Sequence, residues 1–110
     1  MNNNKRDWLF EYKCIFYLAK KDFDKIDNFL DVRLTHDYSF YYITALKYYY
    51  KKMFFESLSY FKVLLANFKV KKNEVKWMYN NIIYHFYNDN EYVKIIGEIN
   101  ELMKYNNSRY

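Results

Sequence analysis

The sequence predicts an all-α domain of about six helices, paired into three antiparallel helical hairpins. The chain contains no proline and only one glycine in 110 residues, so almost nothing interrupts helix formation. Apolar residues recur at spacings of three and four over most of its length, and short polar turns divide these stretches into pairs. A chain of this length is typical of one domain. The predicted units are residues 7–37, 38–68 and 74–104, followed by a frayed tail at residues 105–110.

The first hairpin is expected to begin close to the start of the chain. Its first helix is predicted from Arg6 to Lys20, with Asn4 or Asp7 as the capping residue. Its second helix is predicted to extend to Leu34, which we place on the inward apolar stripe.

The second hairpin joins a helix predicted at Tyr38–Lys51 to one at Phe54–Asn67. A longer basic link follows, in which Asn73 is expected to cap the fifth helix. The sixth helix is predicted from the polar turn at residues 88–90 to Lys104. Gly97 inside it marks either a close packing contact or an exposed position.

Composition argues against several classes of protein. No stretch approaches the ~20 apolar residues of a membrane-spanning helix, and the charged start of the chain lacks the apolar segment of a secretory signal. The only cysteine, Cys14, cannot form an internal disulfide, and His36 and His85 lack metal-ligand spacing. We therefore expect an intracellular, cytoplasmic protein with no metal and no cofactor.

The sequence offers no catalytic constellation. It contains no glycine-rich phosphate loop and no recognisable pairing of nucleophile and base, so we expect no catalytic residues. Cys14 is interpreted as a small residue at a helix crossing. Asp24, Asp27 and Asp31 share one face of the second helix and are interpreted as solvated.

Aligning the hairpins on the aromatic residue that opens each second helix gives a repeat. Phe23, Phe54 and Tyr92 then superpose, at spacings of 31 and 38 residues. Cys14, Ala45 and Ile83 also superpose. In the middle unit the pattern is carried by six residues that we assign to packing within the hairpin: Tyr41, Ala45, Tyr48, Phe54, Ser57 and Phe61.

This period, with paired helices and small residues between aromatic ones, resembles the tetratricopeptide repeat (TPR). The resemblance is closest in the middle unit, where Ala45 and Ser57 occupy the two small positions at which helices cross closely. It implies a short right-handed TPR-like solenoid of three stacked hairpins. The chain departs from the family at bulky or charged residues that replace small ones: Ile26, Ile83, Ile95, Lys21 and Lys52.

The resemblance also implies a function, because arrays of this family usually bind a peptide along the concave face formed by the first helix of each hairpin. An aromatic, amide-rich wall suits a protein segment. We therefore expect a scaffold or adaptor, acting as a subunit of a larger complex. The predicted face comprises Glu11, Tyr12, Ile15, Tyr42, Leu46, Tyr49, Tyr50, Trp77, Asn80, Asn81, Tyr84 and Tyr87.

Two alternatives remain open. Residues 38–88 hold eight lysines and two glutamates, so a positive field near the middle of the chain could contact RNA. The second alternative is that the chain is a small inhibitor protein encoded by a mobile element. The basic patch is predicted at Lys51, Lys52, Lys69, Lys71 and Lys72.

The last hairpin lacks the polar capping helix that usually ends a solenoid. Its outer face, at residues 91–103, is therefore expected to be covered by the tail, by a second copy of the chain or by a partner. Self-association or docking through this uncapped helix follows from the same reasoning.

Overall fold

The computed structural model describes residues 6–108, except for the side chains of residues 72, 107 and 108. Over this range the chain forms six α-helices and no β-strand, which confirms the predicted all-α fold. The helices are α1 (Trp8–Ala19), α2 (Phe23–Asp31), α3 (Tyr38–Tyr50), α4 (Phe54–Asn67), α5 (Lys72–Phe86) and α6 (Asn90–Ser108).

Aspartate side chains cap the first three helices. Asp7, Asp22 and Asp37 each accept a hydrogen bond from the backbone N–H three residues later, over 3.1, 3.2 and 3.0 Å. Each bond satisfies one of the amides that the first turn of a helix leaves without an internal partner. The cap predicted at Asp7 is confirmed, whereas Asn4 lies outside the described residues.

The other predicted cap, Asn73, is wrong. Helix α5 begins at Lys72, two residues before the predicted start at Glu74, with Lys71 at the cap position and no side-chain bond to the first turn. The chain enters α5 from an extended segment in which Phe68 and Val70 are buried while Lys69 and Lys71 are exposed. This alternation has the period of an extended chain rather than that of a helix.

The turn of each of the first two hairpins contains a lysine whose backbone lies in the left-handed region. Lys21 has φ 58° and Lys52 has φ 63°. In each turn the next residue donates its N–H to a carbonyl five residues earlier: Asp22 to Tyr17 and Met53 to Tyr48, both over 2.9 Å. This is the Schellman arrangement that normally places glycine at the left-handed position. The alignment of the hairpins predicted both turns, because Lys21 and Lys52 stand where the family usually has small residues.

The crossing of α3 and α4 forms the centre of the core. The Ser57 hydroxyl donates to the Ala45 carbonyl over 2.8 Å, and both residues are fully buried. The predicted close approach of the two helices at these small residues is confirmed. Phe61 fills the buried space beside the crossing, while Tyr41 and Tyr48 are half-buried against Tyr60.

Helix α2 is shorter than predicted, and Leu34 is not on an inward stripe. The helix ends at Asp31, and Leu34 is 98% exposed. The following segment is held by Arg33, which bonds to the carboxylates of Asp7 and Asp37 over 3.1 and 2.7 Å. These ion pairs stabilise the connection between α2 and α3 in a non-helical conformation.

Helix α6 is longer than predicted and packs more closely on α4 than on its hairpin partner α5. The predicted fraying is wrong for residues 105–108, and residues 109 and 110 lie outside the described range. The buried Asn106 side chain donates to the Leu65 carbonyl over 2.7 Å and accepts from the Val70 N–H over 3.0 Å. These bonds hold the end of α6 against the α4–α5 connection.

Gly97 does not mark a close packing contact. A Cβ atom added at this position would meet no described atom within 4 Å. Of the two interpretations of Gly97, the exposed position is therefore the correct one.

Lys52→Gly is expected to raise the free energy of unfolding by about 1 kcal/mol, because a Cβ atom is unfavourable at positive φ and glycine removes it. Urea denaturation monitored by circular dichroism measures the change. Lys94→Gly, at an exposed position inside α6, is the matched control and is expected to lose about 1 kcal/mol. A loss of stability in Lys52→Gly would contradict the prediction.

Candidate functional site

Helix α3 lies between α1 and α5 and contacts both. On one side the Ser39 hydroxyl donates to the Glu11 carboxylate over 2.6 Å. On the other side the Tyr49 ring lies 5.5 Å from the Trp77 ring, and the Asn81 amide donates to the Tyr49 hydroxyl over 2.6 Å. The three helices form one surface, the α1–α3–α5 face, in which α3 is the floor and α1 and α5 are the sides.

The predicted binding residues on this face differ in exposure according to their helix. Those on α3 are mainly buried or half-buried, since Tyr42 and Tyr49 pack against the core and only Tyr50 is exposed. Those on the two flanking helices are exposed: Tyr12, Ile15, Trp77, Asn80, Asn81, Tyr84 and, just after α5, Tyr87. The predicted side chains of α1 and α5 are therefore exposed, whereas most of those on the α3 floor pack into the core.

Two residues assigned to this face belong to the interior. Leu46 is 4% exposed and forms part of the core. Glu11 is 1% exposed and is held by Arg6 and Ser39. The resemblance implied that both residues face the groove, but Leu46 packs into the core and Glu11 bonds to Ser39 of α3.

The Arg6 guanidinium joins the first turns of α1 and α5. It binds both carboxylate oxygens of Glu11, with Nε at 3.0 Å from one of them, and a third nitrogen donates to Glu74. The second oxygen of Glu74 accepts from the Tyr38 hydroxyl over 2.5 Å. The guanidinium also lies 4.2 Å from the centre of the Trp8 ring. No sequence spacing revealed this cluster, because Arg6 and Glu74 are far apart along the chain.

Burial shifts the pKa values of the groups in this cluster. Burial alone would lower the pKa of Arg6, but hydrogen bonds to Glu11 and Glu74 outweigh it, so the pKa is raised. Burial raises the pKa of Tyr42 to about 12, and the nearby Glu74 charge adds to this effect. Burial also raises the pKa of Tyr38, together with its hydrogen bond to Glu74. The cluster therefore holds a charged arginine among neutral phenols at neutral pH.

The alignment of the hairpins missed part of the exposed apolar surface of α1. Trp8, Leu9 and Phe16 are each more than half exposed and lie beside Tyr12 and Ile15 on the same helix. The signal was present in the sequence, because the segment from Trp8 to Ala19 is apolar almost all round and cannot bury every side.

The predicted basic patch is not one surface. Lys51 and Lys52 lie at the turn before α4, whereas Lys69 and Lys71 lie in the segment after it. Helix α4 has 14 residues and separates the two groups by about 21 Å. The side chain of Lys72 lies outside the described part of the structure.

Ion pairs also reduce the positive field in the middle of the chain. Lys47 is largely buried and pairs with Asp27 over 2.8 Å. The Asp27 side chain remains 41% exposed, and Asp24 and Asp31 are exposed, in agreement with the solvated face predicted for α2. Lys62 pairs with Glu98 over 3.1 Å and connects α4 to α6.

Clefts open at the surface of the described part of the chain. A cleft of about 220 Å³ is lined by Arg6, Trp8, Tyr38, Lys69, Lys71 and Glu74. Two shallow grooves lie beside α6. The first, of about 550 Å³, separates α6 from α4, and the second, of about 520 Å³, separates it from α5 and includes Gly97.

The residues with catalytic or metal-binding chemistry are dispersed. Cys14 is fully buried, and burial raises the pKa of its thiol to about 11, so the thiol remains protonated at neutral pH. His36 stacks on Phe40, and His85 lies edge-on to Tyr84. Within residues 6–108 no three His, Cys, Asp or Glu side chains are grouped as a metal site would require. No helix in this range combines the length and apolar character needed to cross a bilayer.

Arg6→Met is expected to lower the free energy of unfolding by about 3 kcal/mol or more, because it leaves the Glu11 carboxylate buried without its charged partner. Urea denaturation measures the loss. The double variant with Glu11→Met is expected to recover most of it, since neither charge is then buried. Lys104→Met, which removes an exposed pair with Glu101, is the control and should change stability by less than about 0.5 kcal/mol. Equal losses of stability in Arg6→Met and Lys104→Met would contradict this role for Arg6.

Alkaline pH is expected to destabilise the fold through Tyr42. The pKa of Tyr42 is about 12 in the folded protein and about 10 in an unfolded chain, so its contribution is complete below pH 10 and is lost as the pH rises from 10 towards 12. Tyr42→Phe keeps the ring and removes this titration. Urea denaturation of both proteins at a series of pH values should give similar curves at neutral pH and a smaller alkaline loss for the variant. Identical losses above pH 10 would refute this assignment.

No protein-family model matches the chain, and no curated protein and no solved structure matches it either. A function is therefore inferred from the side chains that the α1–α3–α5 face exposes.

Proposed function

We propose that this protein is a non-enzymatic scaffold or adaptor that binds a protein segment on the α1–α3–α5 face. The observation that carries the proposal is the exposure of aromatic side chains on both flanking helices. Tyr12 on α1 and Tyr84 on α5 are 64% and 77% exposed, on either side of a floor that is packed into the core. Large apolar side chains grouped at a surface are typical of sites that bind another protein.

The residue types on this face favour a protein ligand. Tyrosine and tryptophan provide a large contact area with few rotatable bonds, so little conformational entropy is lost when they are covered. Trp77, Asn81 and Tyr84 lie on one side of α5, because their spacings of four and three residues match the helical repeat. Asn80 and Asn81 add amide groups that can bond to the backbone of an extended or helical ligand.

The floor is held in position before any ligand arrives. The Tyr49 ring packs edge-on against Trp77 and Phe54, and its hydroxyl accepts from Asn81. A surface whose side chains are already fixed loses less entropy on binding than a mobile one. This arrangement supports the proposal that the chain presents a preformed site within a larger assembly.

Tyr84→Ala and Tyr12→Ala are each expected to weaken binding of a protein segment at least about tenfold, because each removes an exposed aromatic contact. The probe is a phage-displayed library of random peptides selected on the wild-type protein, and the affinities of synthetic copies of the enriched peptides are measured by fluorescence anisotropy. Both variants should retain the wild-type helical circular dichroism and thermal melt, since both side chains are mainly exposed.

Tyr105→Ala is the matched control, because Tyr105 is an exposed tyrosine on α6, away from this face. Its affinity for the selected peptides should equal that of the wild type. The proposal fails if the selection yields no peptide that binds, or if selected peptides bind both face variants as tightly as the wild type.

A further inference from the structure

Helix α1 has an apolar surface on two opposite sides, of which residues 6–108 cover only one. Cys14 and Leu18 face the core, as does Glu11 through its bonds to Arg6 and Ser39. At about 100° per residue, five large apolar side chains on the other side fall within an arc of about 120°. They are 42% to 67% exposed and are called the α1 stripe: Trp8, Leu9, Tyr12, Ile15 and Phe16.

A helix that is apolar all round is normally buried on all sides. A group of five exposed apolar side chains on 12 residues is also more than scattered surface exposure explains. The α1 stripe therefore has the character of a surface that is covered in the functional state.

The charged side chains along the Leu9–Phe16 edge of the α1 stripe are positive. Lys13 and Lys20 lie along its edge next to Leu9 and Phe16, and both are exposed. Neither forms an ion pair within residues 6–108, and Lys20 Nζ instead lies 4.5 Å from the centre of the Phe16 ring. The only carboxylate of α1 is the buried Glu11. The exposed surface of α1 is thus apolar with a basic edge.

A second copy of the chain fits this surface poorly. If two α1 helices packed antiparallel about a two-fold axis, their lysine edges would lie against each other and repel. If they packed parallel, the lysines of each would lie opposite the apolar edge of the other and lose hydration without gaining a partner. Charge complementarity instead requires carboxylates opposite Lys13 and Lys20.

We propose that the α1 stripe is the docking surface for an acidic amphipathic helix of a partner protein. This inference rests on the proposed function and specifies the partner, as a helix with an apolar face and a row of carboxylates along one edge. The apolar face covers the α1 stripe, and the carboxylates pair with Lys13 and Lys20.

The dimensions of α1 define the partner helix further. Lys13 and Lys20 are seven residues apart, about 10.5 Å along the helix axis, so carboxylates two turns apart on the partner reach both. The 12 residues of α1 extend about 18 Å, which matches a partner helix of three to four turns. Its apolar anchors then recur at spacings of three, four and seven residues.

The test uses the full chain and two designed helical peptides of about 16 residues labelled with fluorescein. Both carry leucines on one face. One has glutamates along the edge, and the other has lysines at the same positions. Fluorescence anisotropy at low salt should show that the acidic peptide binds roughly tenfold more tightly, because two attractive charge pairs replace two repulsive ones. The difference should shrink at high salt, where exposed charges are screened.

Two double variants separate the apolar from the ionic contribution. Leu9→Ser with Phe16→Ser should weaken binding of the acidic peptide roughly tenfold or more, because it removes two apolar contacts. Lys13→Glu with Lys20→Glu should reverse the preference between the peptides while leaving the thermal melt unchanged, since both side chains are exposed. Tyr105→Ala, at an exposed position on α6, is the control and should leave affinity for the acidic peptide unchanged.

Each other outcome overturns the inference. It fails if neither peptide binds, if both bind equally at low salt, or if the serine variant binds as well as the wild type. It also fails if sedimentation shows a wild-type dimer that the serine variant converts to a monomer, since a second copy then covers the α1 stripe. If Tyr84→Ala reduces binding of library-selected peptides while the lysine variant has no effect on the acidic peptide, the proposed function stands and the helical partner is excluded.

Discussion

The arrangement of the α1–α3–α5 face depends on the burial of one charge, that of Arg6. A guanidinium removed from water requires partners, and Arg6 finds them in Glu11 of α1 and Glu74 of α5. The rings of Trp8 and Tyr38 also lie against the guanidinium. Because these groups come from the segment before α1 and from three different helices, one cluster sets the separation of α1 and α5 at their first turns.

The other end of the face is fixed by aromatic packing instead of charge. Tyr49 contacts Trp77 through its ring and Asn81 through its hydroxyl, so α3 is tied to α5 at a second point. Two separated contacts restrict both the distance and the angle between helices. The exposed side chains of α1 and α5 are therefore carried by helices whose positions are already set, which is the condition for a preformed recognition surface.

Aromatic residues serve two purposes in this chain, and composition alone does not separate them. Tyr38 and Phe61 are buried, whereas Tyr12 and Tyr84 are mainly exposed, although all four occur in amphipathic helical patterns. The positions of neighbouring helices decide which aromatic side chains are covered. Helix α1 shows this most clearly, because within the described residues one of its two apolar sides packs on α2 and α3 while the other is exposed.

The sequence by itself determined the features that depend on local chemistry. Helical spacing predicted the number of helices and the bounds of α4. The preference of aspartate for helix starts predicted the cap at Asp7, and the small residues Ala45 and Ser57 predicted where α3 and α4 cross. Tertiary structure alone decided the burial of Glu11, whose charge is acceptable inside only because Arg6 reaches it, and the extension of α6, which Asn106 holds through bonds to Leu65 and Val70. The tertiary structure also separates Lys51 and Lys52, before α4, from Lys69 and Lys71, after it. Local propensity acts over a few residues, whereas the partner of a buried polar group can come from anywhere in the chain.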